Sequence, residues 1–136
     1  MKYFFTFLFL FFFLALAQAD VNPLNGLWVV SGPQEGLTRL SVTRQKGEAW
    51  IEAWGNLQAP DHDWGQSALT CYSTRKNGTV PDRALAIWDT SSAHTVLILQ
   101  ISPDGEHLKV AIFTNSKDDS GRTNYATEVE LVRAKT

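Results

Sequence analysis

His94-Thr95-Val96-Leu97-Ile98-Leu99-Gln100-Ile101-Ser102-Pro103-Asp104-Gly105-Glu106-His107-Leu108-Lys109-Val110-Ala111-Ile112-Phe113-Thr114 is the stretch from which the fold follows. Two runs alternate in period two around Asp104-Gly105, a dipeptide that supplies the positive φ of a tight two-residue hairpin turn. Pairing across that turn sets Ile101 opposite Leu108, Leu99 opposite Val110 and Leu97 opposite Ile112. This is a continuous apolar set on one side of the ribbon, and it marks the core face. The other side carries His107, Lys109, Ala111 and Phe113 against Ser102, Gln100, Ile98 and Val96. It is polar near the turn and apolar at the far end, where Val96, Ile98 and Phe113 form either an oligomer contact or a surface under a loop.

Outward from this ribbon the same period recurs, and no stretch after the first 19 residues keeps a helical period for long. Eight strands are expected: 27–31, 37–44, 48–54, 67–74, 83–89, 94–102, 107–114 and 124–133. Residues 55–66 and 115–123 are left as long polar loops where function can sit. A second hairpin turns through Gln45-Lys46-Gly47, with Leu40 expected against Ile51 and Val42 against Ala49. Its other face pairs Arg39 with Glu52, Ser41 with Trp50 and Leu37 with Trp54. The stripe of Trp50, Glu52 and Trp54 either grips a ligand by stacking and a carboxylate or forms an amphipathic outer face. The last strand places Tyr125, Thr127, Val129, Leu131 and Arg133 on one side and Glu128 and Glu130 on the other. Eight short antiparallel strands favour closure into an up-and-down barrel, which leaves no free edge. A sandwich is the competing architecture.

The 136 residues begin with Lys2, an apolar run from Phe7 to Ala17 and Ala17-Gln18-Ala19, the three parts of a secretory leader. Residues 1–19 are read as a cleaved signal peptide and 20–136 as a single domain, secreted or periplasmic. A retained anchor needs about 20 apolar residues, and the run from Tyr3 stops short at Gln18. Of the 12 basic residues only Lys2 lies in the leader, so the mature chain sets 11 against 14 acidic residues, a formal charge of −3. Nothing in that balance draws it to nucleic acid or to an anionic membrane. The leader also removes every Phe but Phe113. The mature aromatic mass is then Trp28, Trp50, Trp54, Trp64, Trp88, Tyr72 and Tyr125, flat side chains with a polar edge that suit strands and wet binding surfaces. With Cys71 alone, no internal disulfide is possible, and its apolar surroundings favour a buried small hydrophobe over an intermolecular disulfide. Asn77-Gly78-Thr79 is a turn, and a glycosylation sequon in a eukaryotic host.

Gly26-Leu27-Trp28 at the head of the first strand, with Arg133 near the end of the last, resembles the pattern of the calycins: lipocalins, avidins and fatty-acid-binding proteins. The resemblance implies an eight-stranded barrel in which Trp28 packs against Arg133 and closes one end, both residues being structural. Residues 54–65, Trp-Gly-Asn-Leu-Gln-Ala-Pro-Asp-His-Asp-Trp-Gly, are similar to the loop W-G-x-C-x-P-x-D-C-D-W-G of a family of small exported β domains without an established activity. Residues 113–125 are similar to that family's F-x-D-x-S-G-R-x-N-Y segment. The family's two cysteines fall on Leu57 and His62, so the loop bridge that its pattern implies has no counterpart in this chain.

Asp61-His62-Asp63 offers carboxylate and imidazole ligands, with Asp118 or Asp119 joining if the two long loops meet. His94 and His107 fall at opposite ends of one hairpin, roughly 26 Å apart, and cannot share an ion. The alternative is a turn whose Asp side chains bond loop amides, and neither metal nor cofactor is expected. No G-x-S-x-G or H-E-x-x-H occurs, Cys71 has no base nearby, and nothing ties Glu52 to Asp89 as a carboxylate pair, so catalysis is not expected. Arg122 in Ser120-Gly121-Arg122 either meets an anionic group or caps carbonyls. The expectation is therefore a binding protein holding a small, partly apolar ligand near the barrel opening with Trp50, Glu52, Trp54, Trp64, Trp88 and Arg122. The competing partner is another secreted protein, such as a protease blocked by the 55–66 loop. A homo-oligomer is compatible with both.

Overall fold

A computed structural model describes residues 22–32, 36–56, 62–117, 121 and 123–135. The leader-like residues 1–19 lie outside them. Nine strands are formed among the described residues: β1 (Gly26–Val30), β2 (Gly36–Gln45), β3 (Glu48–Asn56), β4 (His62–Ala68), β5 (Thr70–Tyr72), β6 (Arg83–Asp89), β7 (Ala93–Ile101), β8 (His107–Ser116) and β9 (Tyr125–Arg133). All pairs are antiparallel, in the order β4-β3-β2-β1-β9-β8-β7-β6-β5. The first and last strands meet in the middle of this sheet, Trp28 opposite Arg133 and Val30 opposite Leu131. The result is an all-β, up-and-down, nearly closed barrel, compatible with a calycin-like fold.

The expected eight strands become nine because the segment read as one strand over 67–74 splits at Leu69. Before Leu69 the chain pairs with β3, Ala68 opposite Trp50; after it the chain pairs with β6, Thr70 opposite Leu85. One bent length of chain thus joins the two ends of the sheet. β4 also begins earlier than expected, inside the stretch read as a loop. Asp63 and Gln66 are poor strand formers taken alone, and the ladder on β3 sets them opposite Trp54 and Glu52, while Gly65, opposite Ala53, takes φ +88° at a bulge that leaves Trp64 as the extra residue.

The β7–β8 hairpin keeps the register read from its apolar alternation, Ile101↔Leu108, Leu99↔Val110 and Leu97↔Ile112. Its turn is wider than two residues. Ser102 N–H donates to the His107 carbonyl at 2.9 Å, Gly105 N–H donates to the Ser102 carbonyl at 3.0 Å, and Gly105 alone of the pair takes positive φ, +76°. The β2–β3 hairpin is shifted by two residues from the expected register. Gln45 faces Glu48 across Lys46 (φ +53°) and Gly47 (φ +81°), which moves Leu40 opposite Ala53, Val42 opposite Ile51 and Arg39 opposite Trp54. Positive φ at both central residues is the tight two-residue turn that matches strand twist. A shift by two leaves every side chain on its side of the sheet, so the core assignment is unchanged.

Leu24, Trp28, Leu40, Val42, Ile51, Leu97, Leu99, Leu108, Val110 and Leu131 fill the barrel at the end where β1 begins and β9 finishes. That end is sealed by Arg133. Its guanidinium lies 4.2 Å from the Trp28 ring centroid and donates to the carbonyls of Asn25 (2.7 Å), Pro23 (2.8 Å) and Gly105 (3.0 Å). Trp28 Nε1 in turn donates to the Leu24 carbonyl at 2.9 Å. On the outer wall Ile98 (39%) and Phe113 (42%) stay exposed, with Ile87 beside Val96.

Candidate functional site

The other end of the barrel stays open. β6, β8 and β3 finish there, β7, β9, β2 and β4 begin there, and the inward-pointing side chains change character along the way. In successive rungs across β6, β7, β8 and β9, Ala84-Leu99-Val110-Val129 is wholly apolar and Ala86-Leu97-Ile112-Thr127 carries one hydroxyl. Trp88-Thr95-Thr114-Tyr125 then flanks two threonine hydroxyls with an aromatic ring on either side, and Ala93 with Ser116 forms the rim. Above the apolar floor lies a cavity of about 760 Å³ lined by Leu37, Trp64, Trp88, Thr95, Ile112 and Thr114 among others. That volume is in the usual range for small-molecule sites.

One wall of the cavity is also the seam of the barrel. β4 lies against β6 without a backbone ladder, and side chains bridge the gap: Ser67 Oγ donates to the Ile87 carbonyl (2.7 Å) and Trp88 Nε1 to the Gly65 carbonyl (3.1 Å). The Trp64 and Trp88 rings meet edge to face, centroids 5.7 Å apart and planes at 87°. Two perpendicular indoles make a corner that offers one ring face and one ring edge. Gly55 on β3 makes room for it. A Cβ there would sit 2.6 Å from Trp64 Nε1 and 2.8 Å from Cζ2. Gly55→Ala is expected to displace Trp64, costing about 1–3 kcal/mol as an overpacking change. Near-ultraviolet circular dichroism and acrylamide quenching read the indole's release, and an unchanged spectrum refutes the contact.

The hydroxyls of Thr95, Thr114, Ser116 and Thr127 form no hydrogen bond to another group among the described residues, and none of them is a buried orphan. They face the cavity. Thr90 and Ser92 differ, since the Thr90 hydroxyl donates to the Ala93 carbonyl (3.1 Å) and lies 3.4 Å from Ser92 Oγ. At the rim, the Asp89 carboxylate on β6 pairs with Lys117 Nζ beyond β8 and lies 3.4 Å from His94 Nδ1 on β7. The Lys117 hydrogen bond, followed by that from His94, holds the Asp89 carboxyl below its usual pKa of 3.8. Because the native group binds protons more weakly than the unfolded one, this contribution is present above the unfolded value and is lost as pH falls through the lower folded one. An NMR titration of Asp89 should give a midpoint below 3.8, and Lys117→Met should raise it.

Of the four tryptophans expected to contact ligand, Trp64 and Trp88 line this cavity, joined there by Tyr125. Trp50, Glu52 and Trp54 lie on the opposite face of β3, because Ala49, Ile51 and Ala53 take the inward positions. Trp54 carries the Arg39 guanidinium 4.3 Å above its ring on the outside of the barrel. Arg122 and Asp61 lie outside the described residues, as do residues 57–60 of the 55–66 loop and Asp118 and Asp119. His62 sits at the cavity mouth, while Asp63 Oδ1 accepts from the Gly65 amide (2.8 Å). No group of three His, Cys, Asp or Glu side chains among the described residues is placed to hold a metal ion. Cys71 is half-buried at the closed end, with Asn22 Nδ2 3.5 Å from its sulfur. Asn77 occupies an exposed turn with φ +66°.

The inward hydroxyls were not singled out from the sequence, although a signal was there. Thr95 shares the parity of Leu97 and Leu99, Thr114 that of Val110 and Ile112, and Thr127 that of Val129 and Leu131. A core face that turns to threonine toward one end marks where a barrel becomes wet. Compared with known proteins, the chain matches no protein-family model, no curated protein and no solved structure, so the likeness to calycin barrels rests on the strand arrangement and the Trp28–Arg133 contact alone.

Proposed function

We propose that this chain is an exported, non-catalytic binding protein of calycin-like fold that holds a small, partly apolar molecule in the open end of its barrel. One observation carries the reading: a cavity of about 760 Å³ with an indole corner at the β4–β6 seam, hydroxyls on the adjoining β7, β8 and β9 that bond no other described residue, and an apolar floor beneath. Export is supported by the leader-like residues 1–19. Trp64 and Trp88 supply the stacking surface, and the hydroxyl rungs of β7, β8 and β9 supply orientation.

A ligand that binds only the native state stabilises it by mass action, about 2.7 kcal/mol at a hundredfold excess over Kd. Screening small-molecule libraries by melting temperature and tryptophan emission should therefore yield a saturable hit. Thr114→Trp, which fills the mouth, should abolish that hit, and Trp54→Phe on the outer wall should leave it intact. A hit that survives Thr114→Trp, or one lost only with Trp54, overturns the assignment to this cavity.

A further inference from the structure

The cavity walls also restrict the kind of molecule that fits. Thr95 and Thr114 face each other across the β7–β8 ladder, with Ser116 one rung nearer the rim and Thr127 one rung deeper on β9. In the free protein these hydroxyls stand open to water. A ligand that expels this water without replacing its bonds strands them, and each stranded group is costly. A hydrocarbon tail does that. The lining below and beside these hydroxyls imposes the converse. Leu37, Ile112 and Val129 have no polar side-chain atom, and the single N–H of Trp88 is already donated to the Gly65 carbonyl. A molecule polar on every edge, such as a sugar, strands its own groups there.

Charge narrows the class further. No Lys or Arg is among the described residues that line the cavity, and His62, Tyr125 and Glu128 are the ionisable members among them. A carboxylate or phosphate carried inward meets hydroxyls and indoles with no cation to offset its desolvation. The indole corner, planes at 87°, stacks a flat ring on one face and touches it with an edge of the other.

From these constraints, and resting on the binding reading above, we infer that the cavity takes uncharged, flat ring compounds whose carbonyl, hydroxyl or N–H groups are confined to one edge. That edge is read by the hydroxyls of Thr95, Thr114, Ser116 and Thr127. Each hydroxyl both donates and accepts, so the row suits an edge of mixed polarity.

The test uses the full chain in neutral buffer with three probes: lumichrome, a neutral fused-ring compound with carbonyl and N–H groups at one end; palmitate; and cellobiose. Lumichrome is expected to quench tryptophan emission saturably and to bind at least ten-fold more tightly than either other probe. Thr95→Val and Thr114→Val, which keep the side-chain shape, should each weaken it about ten-fold. Tighter binding of palmitate or cellobiose overturns the inference while leaving the cavity a binding site. So does lumichrome affinity unchanged in both valine variants. Failure of all three probes at millimolar concentration, with no library hit, overturns the binding reading itself.

Discussion

Arg133→Met is expected to destabilise the protein by about 3–5 kcal/mol, more than its surface position suggests, because the guanidinium is a junction and not a surface charge. It donates to carbonyls on the N-terminal segment, at Pro23 and Asn25, and on the β7–β8 turn, at Gly105, while covering the ring of Trp28. Methionine keeps much of the apolar stem and removes every one of those donors, leaving part-buried carbonyls without partners. Lysine should recover less than half of the loss, since a single ammonium cannot serve three directions and stack flat on an indole. Urea unfolding reads the effect directly. A double-mutant cycle with Trp28→Phe should show coupling of about 1 kcal/mol or more, as expected for contacting residues. A loss below about 1 kcal/mol for Arg133→Met, in the range of exposed ion pairs, would refute the junction.

The second large effect is a contrast between neighbours on one face of one strand. Leu97→Ala should cost about 2–5 kcal/mol, the usual penalty for emptying a fully buried leucine site. Leu97 has no exposed surface, lies between Ala86 and Ile112 on the flanking strands, and forms the floor on which the cavity rests. Thr95→Val, one rung toward the mouth, should change stability by less than about 0.5 kcal/mol, because its hydroxyl bonds no other described group and faces the cavity. Both variants are compared by urea midpoint at constant m-value. Equal penalties would mean that the barrel is packed through to its rim and that no cavity exists.

These two expectations separate what could be read residue by residue from what could not. The register of Leu97, Leu99 and Ile101 against Ile112, Val110 and Leu108 was legible because a hairpin pairs near neighbours in the chain and its alternation has a single solution that buries the leucines. The β2–β3 register was missed by two residues. Lys46 adopts φ +53°, a conformation that its residue type does not announce, and the tight turn it forms resets every partner from Leu40 to Arg44. The first five residues of β4, 62–66, were read as loop, since nothing local in Asp63-Trp64-Gly65-Gln66 announces a strand. Their strand state comes from the ladder offered by β3 and from the indole corner with Trp88. The candidate site suffered the same way: Trp50 and Trp54 looked as eligible as Trp64 and Trp88, and alternation alone cannot say which side of a sheet will curl inward.

Period two, turn chemistry and the absence of helical pattern were enough to establish an antiparallel β protein and the leucine face of its central hairpin, because those features depend on neighbours a few residues apart. Closure of the sheet at Leu69, the outward turn of Trp50 and Trp54, and the gathering of Trp64, Trp88, Thr95 and Thr114 around one cavity depend on which distant strand each segment pairs with. That choice is made by burial of the whole inner surface at once, a quantity no short window of the chain contains.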